Sequence, residues 1–293
     1  MTDARGGARE ARPLRRVPWY GLTLGAPMLL WQVLFFAFPL MFLIALSFWQ
    51  VRNYRLEPAF LTANWTRVLG SETFWLTYGR TWAYSAIATV IASILAFPAS
   101  YGIAFKLGRN AQRFAIFLLV IPFFTSYLVR VYSWQVFLTD AGIVNVLLAQ
   151  LGIGPLPLIN TLFGTIVGYL TLSLPLVILL QLFSLMFVDR TLIEAAHNMR
   201  CGRLHTLFAV VIPSARVGLV IAALFCFILT FGDFVSPLYL GGGEHATLAI
   251  LITDTTKSGQ QWPRAAVIAL TMIVTLLTVA FAAIGYAYRR PGK

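Results

Sequence analysis

The sequence predicts an all-α membrane protein that crosses the bilayer six times, and three observations lead there. Of 293 residues, 59% are hydrophobic and 11% are charged; a soluble domain carries about 25% charged residues. So few polar groups cannot coat a surface that faces water. Six stretches reach the roughly 20 mainly apolar residues that a crossing helix needs: about 22–48, 81–105, 114–138, 162–187, 217–240 and 265–288. Each must be helical, because an open strand would leave backbone groups unpaired in lipid. Finally, lysine and arginine gather in alternate flanks of these stretches, the asymmetry that sets orientation.

The first element is a basic tail with Arg5, Arg9, Arg12, Arg15 and Arg16. It resembles the start of a signal peptide. The run behind it, 22–48, far exceeds the roughly 7–15 residues of a cleavable apolar segment, so an uncleaved anchor is expected. The division is therefore a tail, 1–21, and a six-helix domain, 22–293. After span one, 50–80 carries Trp65, Trp75 and Tyr78, as a folded external loop with interfacial aromatics does. Pro98, Pro122 and Pro175 lie within spans, where neighbouring helices shield the carbonyls a proline frees. Between spans three and four, 139–160 has no lysine or arginine and holds Gly152, Gly154, Pro155 and Pro157 as turn formers.

Spans four and five are separated by a polar stretch, TLIEAAHNMRCGRLHTLFAVVIP, Thr191 to Pro213. Leu192, Ala195, Ala196 and Met199 recur at helical spacing, as do Leu204, Leu207, Phe208 and Val211. The pattern predicts two short amphipathic helices, the first started by a capping box of Thr191 and Glu194. Such a hairpin either lies on the lipid surface or docks in the groove of a soluble partner.

The tail, 106–113, 187–216 and the C-terminus together hold 15 of the 22 basic residues but only four of the ten acidic ones; elsewhere seven basic residues face six acidic. The excess places those four segments, with both termini and the polar hairpin, in the cytoplasm.

With EAA at 194–196 followed by three residues, a polar turn and LHTLFAVVIP, the hairpin resembles the EAA loop of ABC importer permeases. The resemblance covers nearly the whole chain. PFFTSYLVRVYSWQVFLTDAGIVN and FGDFVSPLYLGG are similar to segments of spermidine/putrescine permeases, and the long tail and first loop resemble the first of their two permease subunits. The likeness implies a type I ABC importer permease fold in a bacterial inner membrane. It implies that Glu194, Ala195, Ala196, Arg200, Gly202, Leu204 and Phe208 belong to a coupling helix held by an ATPase subunit. A second permease, a pair of ATPases and an external solute-binding protein would complete the assembly, moving a polyamine by alternating access. The family places a glycine directly after the three variable residues. Here that position is Arg200, with Gly202 two residues later. Either Gly202 makes the left-handed turn or the turn differs.

No G-x-x-x-x-G-K-[ST] phosphate loop occurs, so ATP and its hydrolysis are assigned to the partner and no cofactor to this chain. His197, His205 and His245 lack ligand spacing, and Cys201 and Cys226 form no framework; no metal, nucleic acid or bond chemistry is expected. An ion-driven carrier would need more ionisable groups near the midplane. An intramembrane enzyme would need a metal motif or an activated nucleophile. Permeases for other small cationic, zwitterionic or anionic solutes share the motifs more loosely.

Asp233, in FGDFVSP, is a charge near the end of span five, and such charges mark functional sites by default. It either meets a cationic solute together with Phe231, Phe234 and Tyr239, through Coulomb and cation–π attraction, or pairs with Arg130 in span three; the two readings are compatible. Tyr127, Tyr132 and Trp134 line the passage or form an interfacial belt.

Overall fold

A computed structural model of the chain describes residues 19–243 and 246–289. Arg5 to Arg16, His245, Arg290 and Lys293 lie outside the described residues. The chain forms two units, Met1–Ala45 and Leu46–Lys293. The first holds a helix, α1 (Trp19–Gln32), which passes through a π turn at Val33–Ala37 into α2 (Phe38–Ser47), whose last two residues, Leu46 and Ser47, begin the second unit.

The second unit continues from the end of α2 into a hairpin of β1 (Gln50–Arg52) and β2 (Arg55–Glu57), paired antiparallel with Val51 opposite Leu56. Asn53 and Tyr54 at its tip are both left-handed, which matches the twist of a two-residue hairpin turn. A short helix α3 (Ala63–Leu69) follows, tied down by Asn64, whose Nδ2 donates to the carbonyls of Ser47 and Trp49.

Helix α4 (Glu72–Lys106) has 35 residues, a length of about 52 Å against a hydrocarbon layer of about 30 Å. It starts well before the expected residue 81, so Trp75 and Tyr78 sit on its first turns rather than in a loop. Span three is not the single helix expected over 114–138. That stretch holds α5 (Arg109–Val120), a 3₁₀ turn at Ile121–Phe124, and α6 (Tyr127–Leu138), and the segment long and apolar enough to cross there is Tyr127–Gln150, which runs on into the expected loop. Pro122 stands in that turn, where its missing N–H and fixed φ favour a break.

The following segment holds α7 (Ile143–Gln150). Its buried Asn145 bonds the carbonyls of Thr139 and Leu156 and the Leu156 N–H, and Gly152 turns the chain with positive φ. Helix α8 (Leu162–Met186) carries span four, and α9 (Arg190–Asn198) with α10 (Arg203–Thr206) builds the polar hairpin.

Through a second π turn, Leu207–Val211, α10 runs into α11 (Ile212–Gly232). Ile212 N–H donates to Leu207 C=O, five residues back. Both π turns lie just before a Phe-Pro or Ile-Pro pair, Phe38–Pro39 and Ile212–Pro213. A proline offers no N–H to the carbonyl four residues back and its ring crowds it; one wider turn moves that carbonyl aside. The second amphipathic helix is thus the start of span five and not a separate element. Span five ends at Gly232 rather than 240, and its last residues form α12 (Val235–Tyr239). After α13 (Leu248–Lys257), α14 (Trp262–Tyr288) is the sixth span. Six helical segments among the described residues are long and apolar enough to cross a membrane.

The core of the second unit is the mutual packing of α4, α8 and α11. Small residues let them approach: Ala92 and Ala96 of α4 meet Val177 and Ile178 of α8 and Ala222 and Cys226 of α11. Towards the hairpin the cluster continues with Leu182, Leu185, Val211 and Ala215. Arg216 donates to the carbonyls of Ala287 and Arg289, satisfying the end of α14 as a basic side chain does at a helix C-terminus.

Candidate functional site

Two sites emerge, one at each end of α11. At the hairpin end, α9 is started by Asp189, whose Oδ1 accepts the Thr191 N–H at 2.9 Å. The expected capping box is absent: Thr191 and Glu194 lie inside the helix, and both are exposed. Asp189 is two residues upstream of the Thr-x-x-Glu pattern, and an aspartate is as good an N-cap as threonine.

The helix ends in a full Schellman turn. Cys201 N–H reaches Ala196 C=O at 3.1 Å, and Arg200 N–H reaches His197 C=O at 2.9 Å, the paired bonds that define the motif. Arg200 occupies its left-handed position at φ 60°. Gly202 is extended at φ −66° and precedes α10. The turn therefore keeps the geometry that a glycine favours, with arginine bearing the strain. Gly202 does not take over.

The apolar faces split. Ile193 and Leu207 pack on the bundle with buried Ala196 and Val211. Ala195 is exposed, and Leu192, Met199, Leu204 and Phe208 are 48%, 73%, 72% and 66% exposed. Each predicted stripe thus serves two directions: Ala196 of the first and Leu207 and Val211 of the second anchor the hairpin, and the remaining residues project outward. Phe187, 89% exposed, stands beside α9. An apolar patch rimmed by polar residues marks an interaction surface.

At the other end, Asp233 separates α11 from α12 and is 7% exposed. Its Oδ1 accepts the Val235 N–H at 2.9 Å. Its Oδ2 accepts Tyr127 Oη–H at 2.5 Å, Ser236 Oγ–H at 2.6 Å and the Ser236 N–H at 3.3 Å. The Tyr127 and Ser236 hydroxyls also touch each other. The carboxylate thus caps the first turn of α12 and ties it to α6. Helix α8 presses on the same knot: a Cβ on Gly168 would lie 2.5 Å from Ser236 Oγ, so only glycine fits.

Arg130 does not pair with Asp233. Its Nη1 donates to Thr171 C=O at 3.1 Å, the carbonyl that Pro175 leaves without a helical donor. The guanidinium also lies 5.8 Å from the centre of the Tyr127 ring, within cation–π range. Neither role follows from sequence spacing, although an arginine and a proline in neighbouring spans are the ingredients.

Of the aromatics, Phe231 is fully buried, stacked on Phe227 and edge-on to Trp82; it belongs to the core and not to a passage. Tyr132, Trp134 and Phe234 are partly exposed, and Tyr132 packs on Tyr239 with ring centres 4.9 Å apart. Sequence reasoning missed Ser236, Gly168 and Asp189. The first two carry no charge that would mark them, although Ser236 lies within the FGDFVSPLYLGG segment.

Six segments long and apolar enough to span a membrane among the described residues, three of them close-packed as α4, α8 and α11, and one polar hairpin carrying an outward apolar row define a membrane transport component that works with a soluble partner. The chain belongs to the family "Binding-protein-dependent transport system inner membrane component", whose model matches residues 88–290. It is the permease subunit of an ABC importer. The chain is 28% identical over 256 residues to the spermidine/putrescine transport system permease protein PotB of Haemophilus influenzae, covering 84% of this chain and 87% of that one. It is 26% identical over 249 residues to the PotB of Escherichia coli, covering 84% and 90%. Its fold matches a chain in the crystal structure of a bacterial alginate ABC transporter in complex with an alginate pentasaccharide-bound periplasmic protein, at TM-score 0.71, 14% identity, and 92% and 94% coverage.

Proposed function

We propose that this permease imports a polyamine such as spermidine or putrescine, as the first of two permease subunits, with its termini and the α9–α10 hairpin in the cytoplasm. The observation that carries the transport mechanism is the outward apolar row of Leu192, Met199, Leu204 and Phe208 around a capped, anchored α9. That row fits the groove of an ATPase subunit by helix-in-groove docking. The Schellman turn and the Ile193 anchor make the hairpin a stiff connection, so motion of the ATPase reaches α8 and α11, which flank it. ATP binding draws the paired hairpins together and opens the bundle outward; hydrolysis resets it. ATP is bound by the partner, and this chain performs no bond chemistry. The polyamine assignment is supported by relatives of that name aligned over 84% of the chain.

In this reading Asp233 sets the position of α12 rather than taking the solute directly, because four donors already occupy its oxygens. The exposed rings of Tyr132, Trp134 and Phe234 then offer the cation–π surface beside it.

The test is reconstitution of the complete assembly in liposomes with ATP inside and loaded binding protein outside. ATP-dependent accumulation of radiolabelled spermidine or putrescine supports the assignment. Accumulation of a different solute class, with neither polyamine moved or competing, refutes it.

A further inference from the structure

The two prolines inside helices of the core trio, Pro98 and Pro175, are treated differently. Arg130 serves the carbonyl freed by Pro175. On α4, Pro98 likewise supplies no N–H to the carbonyl of Ile94, and among the described residues no side chain serves it. A groove of about 510 Å³ opens at that point between α4, α8 and α11, lined by both residues. Its walls are apolar, with Phe97, Leu219 and Val220 among them.

The groove is also lined by Ser93 and Gln181. Gln181 is 2% exposed, and its Nε2 donates to the Ser93 carbonyl at 3.2 Å. That bond fixes the amide, because a flipped amide would set oxygen against oxygen. Gln181 Oε1 and Ser93 Oγ are buried with no partner. An unpaired polar atom at membrane depth costs free energy that lipid tails cannot return. Both atoms lie just under the groove wall, screened from solvent and without a partner, so a side-chain rotation that turns them into the groove lets a ligand with donors satisfy them.

We propose that this groove is a way-station for the protonated amine of the solute, an inference that rests on the polyamine reading. Its chemistry is that of an acceptor set: Gln181 Oε1, the Ile94 carbonyl and the Ser93 hydroxyl match the N–H donors of an ammonium. The apolar walls match the methylene stem between amines, as they do for a lysine side chain. No carboxylate and no basic group lines it, so a cation meets neither a trap nor repulsion, as transit requires. Gln181 lies five residues before the end of α8, about 7.5 Å along the axis. The site is thus on the hairpin side of the bundle, where imported solute leaves.

The experiment compares wild type, Gln181→Leu and Ser93→Ala in the complete assembly, reading spermidine uptake per ATP hydrolysed and subunit composition. The expected result is a fall of about tenfold for Gln181→Leu and about threefold for Ser93→Ala, the scale of losing hydrogen bonds to a charged group. Subunit composition and the stimulation of ATPase by loaded binding protein should stay unchanged. Unchanged uptake overturns the site. Loss of the second permease from the Gln181→Leu assembly also overturns it and makes the groove a subunit interface. If wild type itself moves no polyamine, the functional reading falls, and this site with it; the wild-type arm separates the two failures.

Discussion

The two ends of α11 are one helix with opposite chemistry. At the Asp233 end polar donors and acceptors close on each other: a carboxylate with four donors caps α12, and a glycine of α8 lets the knot pack tightly. At the hairpin end the polar backbone is equally well capped, yet large apolar side chains project into open space. The difference separates scaffold from interface. A closed knot has no bonding capacity left for a partner, whereas an anchored hairpin with exposed Leu204 and Phe208 has surface that only a partner can bury.

The comparison breaks most visibly if the knot proves dispensable. Replacing Asp233 with alanine removes the cap of α12 and strands the Tyr127 and Ser236 hydroxyls. A loss of about 2–4 kcal/mol is expected, since hydrogen bonds in membrane proteins contribute about 0.6–1.7 kcal/mol each. Thermal unfolding in detergent should show it as a clearly lowered midpoint. A midpoint equal to wild type would mean that the knot does not hold α12.

A smaller effect of opposite sign sharpens the other end. Arg200→Gly relieves a left-handed non-glycine residue, and the isolated chain should gain about 0.5–1 kcal/mol. Helix retention on heating, followed by circular dichroism, checks the sign. A destabilised variant would show that the Arg200 side chain contributes more than its backbone costs.

Much of this was legible in the sequence because lipid leaves the backbone so few options. Span number and the polar hairpin follow from run length and composition, which report directly on solvent. Element ends were less legible. The break at Pro122, the division of span five at Asp233 and the early start of α4 at Glu72 all depend on which neighbours satisfy the backbone, and a single chain pattern does not carry that. The hairpin shows the same limit: Leu192 and Ile193 are adjacent and equally apolar, and only the packed bundle decides which one points outward. Charge drew attention to Asp233 and Arg130 and led to the expectation that Asp233 meets a cationic solute, pairs with Arg130, or does both. Their real partners, a serine, a tyrosine and a carbonyl orphaned by proline, carry no such mark.

The central claim is that the outward row of the hairpin holds the ATPase. The most direct measurement is affinity purification of the Leu204→Asp/Phe208→Asp variant from native membranes, with every co-purifying subunit quantified. Both side chains point away from the bundle, so the fold and the second permease should be retained while the ATPase falls at least about a hundredfold, as loss of two central apolar anchors gives. Full recovery of the ATPase with this variant would contradict the account.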